Sequence, residues 1–143
     1  MEWPRLRLEQ LLLDARSGTW GSAPDESKSV YPVLRSTNIQ DGKLVIDNPA
    51  LRTLSENTVE KYLLVKGDIL VTTSSGSSRL LGKNAIIEEL PRNNGKYVFS
   101  NFTWRLRPAT SHVIPKFLYY YLNSPTARTE LERIQSTTSG LRN

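Results

Sequence analysis

Several polar stretches of this chain carry side chains suited to reading a double helix. Arg35-Ser36-Thr37-Asn38 closes an apolar run with a guanidinium, two hydroxyls and an amide. A guanidinium can donate two hydrogen bonds to guanine O6 and N7, and a carboxamide can pair twice with adenine. Thr72–Arg79 sets six hydroxyl side chains, a glycine and an arginine in succession. Within it Thr73, Ser74, Ser75, Ser77, Ser78 and Arg79 are candidate contacts, since short hydroxyls and bared amides suit close approach to phosphates and base edges. Lys83 and Asn84 follow at the start of the next apolar run, and Asn101 stands at a later turn. Thr137–Arg142 repeats the chemistry, with Thr138 and Ser139 as its candidates. Any one such loop is also ordinary turn chemistry, in which Ser, Thr, Asn and Gly cap backbone groups. Their recurrence at strand ends is what suggests a single surface.

Charge agrees with that suggestion. Nineteen Lys and Arg against 14 acidic residues leave a net charge of +5, and the isoelectric point is near 9.6. Basic domains of this kind attract polyanions, although a basic soluble protein without such a partner has the same balance.

Other chemistries find little to build on. Without cysteine there is no disulfide framework, thiolate zinc site or thiol nucleophile. His112 is the sole histidine, which disfavours paired-histidine metal sites and Ser–His–Asp triads. Pro24-Asp25 with Glu26-Ser27-Lys28 resembles a nuclease metal motif, but adjacent acids cannot be presented from two neighbouring strands. Gly76 to Gly82-Lys83 imitates a phosphate loop with one residue too many, and Asn84 stands where a magnesium-binding hydroxyl belongs. No apolar run approaches the roughly 20 residues of a membrane span, and the first residues lack the order of a signal peptide. The expectation is a cytoplasmic protein with no membrane partner, no catalytic residue and no metal.

The elements that must position the candidates are short. At 143 residues one domain is expected, with a core built partly on three Trp, six Tyr and three Phe. Trp3–Leu13 reads as an extended lead-in and a short helical turn, ended by Ser17-Gly18. Val30–Arg35 reads as a strand, and Asp41-Gly42 as a tight turn before the strand Leu44–Ile46, which Asn48-Pro49 breaks. Ser55 is placed to cap a short helix through Lys61. Strands are predicted at Asp68–Thr72, Asn84–Ile87, Tyr97–Phe99 and Thr103–Arg107. Pro115 opens a helix with Phe117, Leu118, Tyr121 and Leu122 on one face. Ser124-Pro125 starts another, with Ala127, Leu131 and Ile134 aligned. Strands first and helices last predict an α+β domain with a mainly antiparallel, partly barrel-like sheet and two helices near the C-terminus.

Together these residues resemble a known family. The run begins at Trp3 and continues through Gly18-Thr19-Trp20-Gly21, Tyr31–Ile39, Asp41-Gly42 and Lys61–Val71. It goes on through Ser74–Lys83, Val98–Phe102, Arg105–Pro108, Pro115–Leu122 and Ser136–Asn143. In order and spacing it is similar to a target recognition domain of the type I restriction–modification DNA specificity subunit. The resemblance implies a domain that inserts loops into the major groove and reads one half of a bipartite double-stranded DNA target. It further implies a modification (methyltransferase) subunit as partner, which binds S-adenosylmethionine and methylates adenine, and a restriction subunit reached through the assembled complex. No cofactor belongs to the specificity subunit itself. Residues 1–143 are accordingly expected to form one recognition domain, a fragment without the spacer helix and second domain of the full pattern. Two other readings stay open: a non-catalytic protein-interaction module, and the recognition portion of a fused methyltransferase–nuclease.

Overall fold

The computed structural model describes residues 7–72, 82–91 and 95–129. After a 3-10 turn at Leu8–Leu11, β1 (Leu12–Ser17) runs out to a loop, and β2 (Val30–Leu34) follows. A second 3-10 turn, Ser36–Asn38, leads into a hairpin of β3 (Ile39–Gln40) and β4 (Lys43–Leu44). Its turn residues Asp41 and Gly42 both have positive φ, 53° and 75°, the combination that matches the twist of a two-residue hairpin. Then come β5 (Ala50–Thr53), α1 (Glu56–Tyr62), β6 (Ile69–Thr72), β7 (Asn84–Ile86), β8 (Val98–Phe99), β9 (Thr103–Pro108) and α2 (Pro115–Leu122). Ser55 caps α1 as its spacing predicts, its Oγ accepting the Thr58 amide at 3.2 Å. Residues 125–129 begin a further helix, where Ser124 Oγ accepts the Ala127 amide at 3.2 Å and Ala127 is buried. Leu131 and Ile134 lie outside the described residues.

The mixed α+β class stands, with a correction. β1-β9-β6-β7 form one antiparallel sheet, β5-β2-β8 a second, and β3-β4 a ribbon. The first sheet is open among the described residues: β1 and β7 are its two edges, so the barrel-like closure expected from sequence is absent. In the second sheet β2 pairs antiparallel with β5 and parallel with β8.

The main core lies between the sheets, where Leu34, Ile39, Leu70, Ala85, Ile87 and Phe99 are almost wholly buried. The other face of the first sheet carries Ile69, against which α2 packs Leu118 and Leu122. Tyr121 and Phe117, expected on that inward face, are 47% and 66% exposed. Each residue turns a helix by about 100°, so a helix seated on Leu118 and Leu122 swings their preceding neighbours off the sheet.

Charge also holds the sheets together. Arg105 on β9 is 3% exposed, bonds the Leu63 carbonyl at 2.8 Å and pairs with Asp14 of β1. Arg107 grips the buried Asp68 with two bonds of 2.9 Å. The helical turn expected within Trp3–Leu13 is present at Leu8–Leu11, and these pairs explain why the sequence shows no strand over residues 14–17 of β1. Its inward positions Asp14 and Arg16 are charged and bonded to each other at 2.7 Å, which erases the apolar alternation of an ordinary half-buried strand.

Candidate nucleic-acid interface

The strand pairings bring several predicted positions to one end of the molecule. β2 and β8 run parallel with Leu34 opposite Phe99, so Arg35 and Ser100 leave the same end. The Ser100 amide donates to the Leu34 carbonyl at 2.9 Å. A tight turn at Asn101-Phe102 then enters β9, closed by the Thr103 amide on the Ser100 carbonyl at 3.0 Å. Thr103 stands opposite Thr72 at the last residue of β6, and Val71 opposite Asn84 at the start of β7. Ser17, the last residue of β1, stands opposite Trp104. Arg35, Ser36, Thr37, Lys83 and Asn101 therefore sit at clustered strand ends. Thr72 and Gly82 stand at that cluster too, the Gly82 amide donating to the Thr72 carbonyl at 3.2 Å.

Arg35 has the most unusual environment. Its residue is half-buried and its Nε is enclosed without a hydrogen-bond partner. No carboxylate or carbonyl among the described residues bonds the rest of its guanidinium. Every other described arginine on the strands or α1 side of the core has found an acceptor: Arg16 and Arg105 on Asp14, Arg52 on the Trp20 carbonyl, and Arg107 on Asp68. Thr37 and Asn101 are exposed, Ser36 and Lys83 half-buried. The Lys83 ammonium makes no ion pair among the described residues.

Two candidates have structural work instead. Asn38 is 5% exposed. Its Oδ1 accepts the Arg35 amide at 2.8 Å, and its Nδ2 donates to the Val45 carbonyl at 2.8 Å. Its amide thus clasps the chain where β2 turns into the β3-β4 ribbon, and pairing with adenine would require breaking that clasp. Asn84 is 2% exposed. It donates to the Gly82 carbonyl at 2.8 Å and accepts from Asn123 Nδ2 at 2.8 Å. Arg128 in turn bonds Asn123 Oδ1 at 2.7 Å, a relay from the end of α2 to Gly82. Both amides, expected as base contacts, are spent on bonds within the fold, and meeting a base would require giving those bonds up. Thr73, Ser74, Ser75, Ser77, Ser78, Arg79, Thr138 and Ser139 lie outside the described residues.

One residue of this end was passed over. Phe102 is 55% exposed beside Asn101, and the only signal for it in the sequence was an apolar side chain placed next to an amide at a turn. Trp20, flanked by glycines, proves half-buried against Val33, Leu54, Val59 and Val98, with the Arg52 guanidinium 4.5 Å above its ring. Asp25 accepts the Ser27 amide at 2.9 Å and hydroxyl at 2.7 Å in a local turn. Among the described residues no group of three or more His, Asp or Glu could hold a metal ion, and no helix is long and apolar enough to cross a membrane.

Known proteins share this sequence and this architecture. The EcoKI type I restriction enzyme specificity subunit of Escherichia coli K12 is 28% identical over 136 residues, which is 95% of this chain and 28% of that protein. The StySPI specificity subunit of Salmonella potsdam is 27% identical over 138 residues, 96% of this chain and 29% of the relative. The chain thus spans less than a third of the length of the curated relatives it matches. Among solved structures, the HsdS subunit from Thermoanaerobacter tengcongensis superposes with a TM-score of 0.56 at 19% identity, covering 89% of this chain and 28% of that one. A chain from a structure describing complex assembly in the type I R-M system gives 0.54 at 15% identity, over 99% of this chain and 41% of the other. These two likenesses concern the fold. The model of the type I restriction modification DNA specificity domain matches residues 2–143, and this chain belongs to that family.

Proposed function

We propose that this chain is the reader of one half of a bipartite double-stranded DNA target, acting within a longer type I specificity subunit and performing no chemistry itself. The observation that carries the reading is Arg35: a half-buried guanidinium with an enclosed, unbonded Nε at an end where Lys83, Thr37 and Asn101 also emerge. With no acceptor for its terminal nitrogens among the described residues, this guanidinium is available to an external partner, and guanine offers two acceptors in the geometry a guanidinium fits. Family membership supports the same reading, as does the net charge of +5.

In this role Arg35, Ser36, Thr37 and Asn101 contact DNA from the described residues and Lys83 neutralises phosphate, while Thr73–Ser75, Ser77–Arg79, Thr138 and Ser139 remain proposed contacts. The partner modification subunit supplies S-adenosylmethionine and adenine methylation, and the restriction subunit joins through the assembled complex. A reader of chromosomal DNA works in the cytoplasm of a bacterial cell.

The test is selection of bound duplexes from a random-sequence pool at low salt, where phosphate contacts are strongest. Recovery of a defined short motif by the wild-type chain, with one position relaxed in Arg35→Ala, is the expected result. A pool recovered without any preference overturns the proposal.

A further inference from the structure

We propose that the Phe102 ring reads the 5-methyl group of a thymine in the major groove, so that this chain discriminates thymine from cytosine by an apolar contact. The inference rests on the DNA-reading function proposed above and adds to it a residue and a base.

Phe102 is held in place by its surroundings. Its neighbours Ser100 and Thr103 are 2% and 0% exposed. The Thr103 hydroxyl and amide both donate to the Ser100 carbonyl, at 2.9 and 3.0 Å, and the Phe102 amide donates to Ser100 Oγ at 3.4 Å. Behind the turn, the Thr19 amide bonds the Phe99 carbonyl at 2.9 Å and the Gly18 amide bonds the Thr103 carbonyl at 3.1 Å. The backbone of the turn is therefore braced from both neighbouring strands, and the ring is carried on a rigid tip. Three residues earlier Phe99 is fully buried, whereas Phe102 is 55% exposed.

The chemistry around it narrows the ligand. Arg35, Ser36, Thr37, Asn101 and Lys83, at the same strand ends, are polar, and polar groups find partners on phosphates and base edges. The major-groove edge offers one apolar group, the thymine methyl, and phenylalanine is among the side chains that contact it. At the base edge, the thymine methyl is the feature that matches an aromatic held on a braced turn. Asn101 beside it can read the polar edge of the same or the next base pair.

The experiment uses this 143-residue chain and the duplex motif it selects from the random pool. Each thymine of that motif is replaced by uracil in turn, which deletes only the methyl group and keeps the base pairing. The expected result is one position where uracil weakens wild-type binding about fourfold, as loss of one buried methyl implies. Phe102→Ala should weaken binding to the thymine duplex at least as much and bind its uracil counterpart equally well. Phe102→Leu, which keeps an apolar tip, should retain part of the discrimination. Thermal unfolding of both variants, at an exposed position, should stay near wild type. If every thymine tolerates uracil, or if Phe102→Ala keeps the full uracil penalty, the methyl contact is overturned while DNA reading stands. If the wild-type chain selects no motif, both fall together.

Discussion

At the scale of single residues, two arginines with enclosed Nε atoms have opposite roles. Arg105 is 3% exposed, but its terminal nitrogens reach Asp14 and the Leu63 carbonyl, and its guanidinium lies 5.4 Å from the Phe99 ring. Among the described residues Arg35 has no such set. Removing it should therefore leave folding unharmed or slightly improved, since an unbonded buried donor disappears with it. The expected outcome for Arg35→Ala is an unchanged or raised urea midpoint together with a loss of about 1–3 kcal/mol in binding to the selected duplex. Arg35→Lys should not restore that binding, because an ammonium lacks the planar two-donor fork. Paired urea melts and duplex titrations on the same variants check both halves. Asp14 behaves in the other sense. The hydrogen bond from Arg16, followed by that from Arg105, holds its pKa at about 2 against the opposing effect of burial, below the value of about 3.9 in an unfolded chain. Its folded pKa is lowered, so its stabilisation is fully present above about pH 4 and is lost as pH falls through 2. Asp14→Asn should cost about 1–2 kcal/mol at neutral pH, allowing for solvent screening at this partly exposed pair. The variant should also lose part of the wild-type acid sensitivity between pH 4 and 2, measured as urea midpoints at each pH.

At the scale of elements, the proposed reading surface depends on how closely β1 can approach the β8–β9 turn. A Cβ at Gly18 would overlap the Phe99 and Ser100 carbonyl oxygens, which belong to backbone and cannot swing aside. Gly18→Ala should destabilise by about 1–3 kcal/mol, as overpacking does, and should shift amide NMR signals at Ser100–Thr103 before those of α2. An NMR comparison with the perturbation centred elsewhere would contradict this coupling. Such approaches are invisible in sequence, where Gly18 reads only as the end of an element. By contrast, β6, β8, β9, α1 and the Asp41-Gly42 hairpin were legible, because Ile69-Leu70-Val71, the Ser55 cap and the two positive-φ turn residues are local signals. β1 and β5 escaped for a shared reason: their inward or paired positions carry Asp14, Arg16 and Arg52, which also find partners in distant parts of the chain, Arg105, the Lys61 carbonyl and the Trp20 carbonyl. The candidate surface was legible in the same uneven way. Residue type picks out polar strand ends, but only tertiary packing reveals that Asn38 and Asn84 spend their amides on the fold.

At the scale of the whole molecule, the proposed function divides DNA binding into a long-range attraction set by the net charge of +5, which carries no sequence information, and base contacts from the clustered strand ends. These contributions separate by their response to salt. Each phosphate contact releases counterions, so affinity falls with log salt in proportion to the number of contacts, whereas a base contact leaves that slope unchanged. Lys83, half-buried at the start of β7 and outside any ion pair among the described residues, belongs to the first kind in the proposed function. Lys83→Ala should weaken binding to preferred and unrelated duplexes alike and reduce the salt slope by about one. Arg35→Ala should keep the slope of a base-reading residue and lose mainly the preferred duplex. Asn84→Ala, one residue away, separates support from contact: it frees the Gly82 carbonyl and the Asn123 amide, so its effect should appear first as a lowered unfolding midpoint. Titrations of all three variants against two duplexes at four salt concentrations, with melts in parallel, give three different signatures. Identical behaviour of Lys83→Ala and Arg35→Ala in slope and in preference would mean that this end of the molecule attracts DNA without reading it.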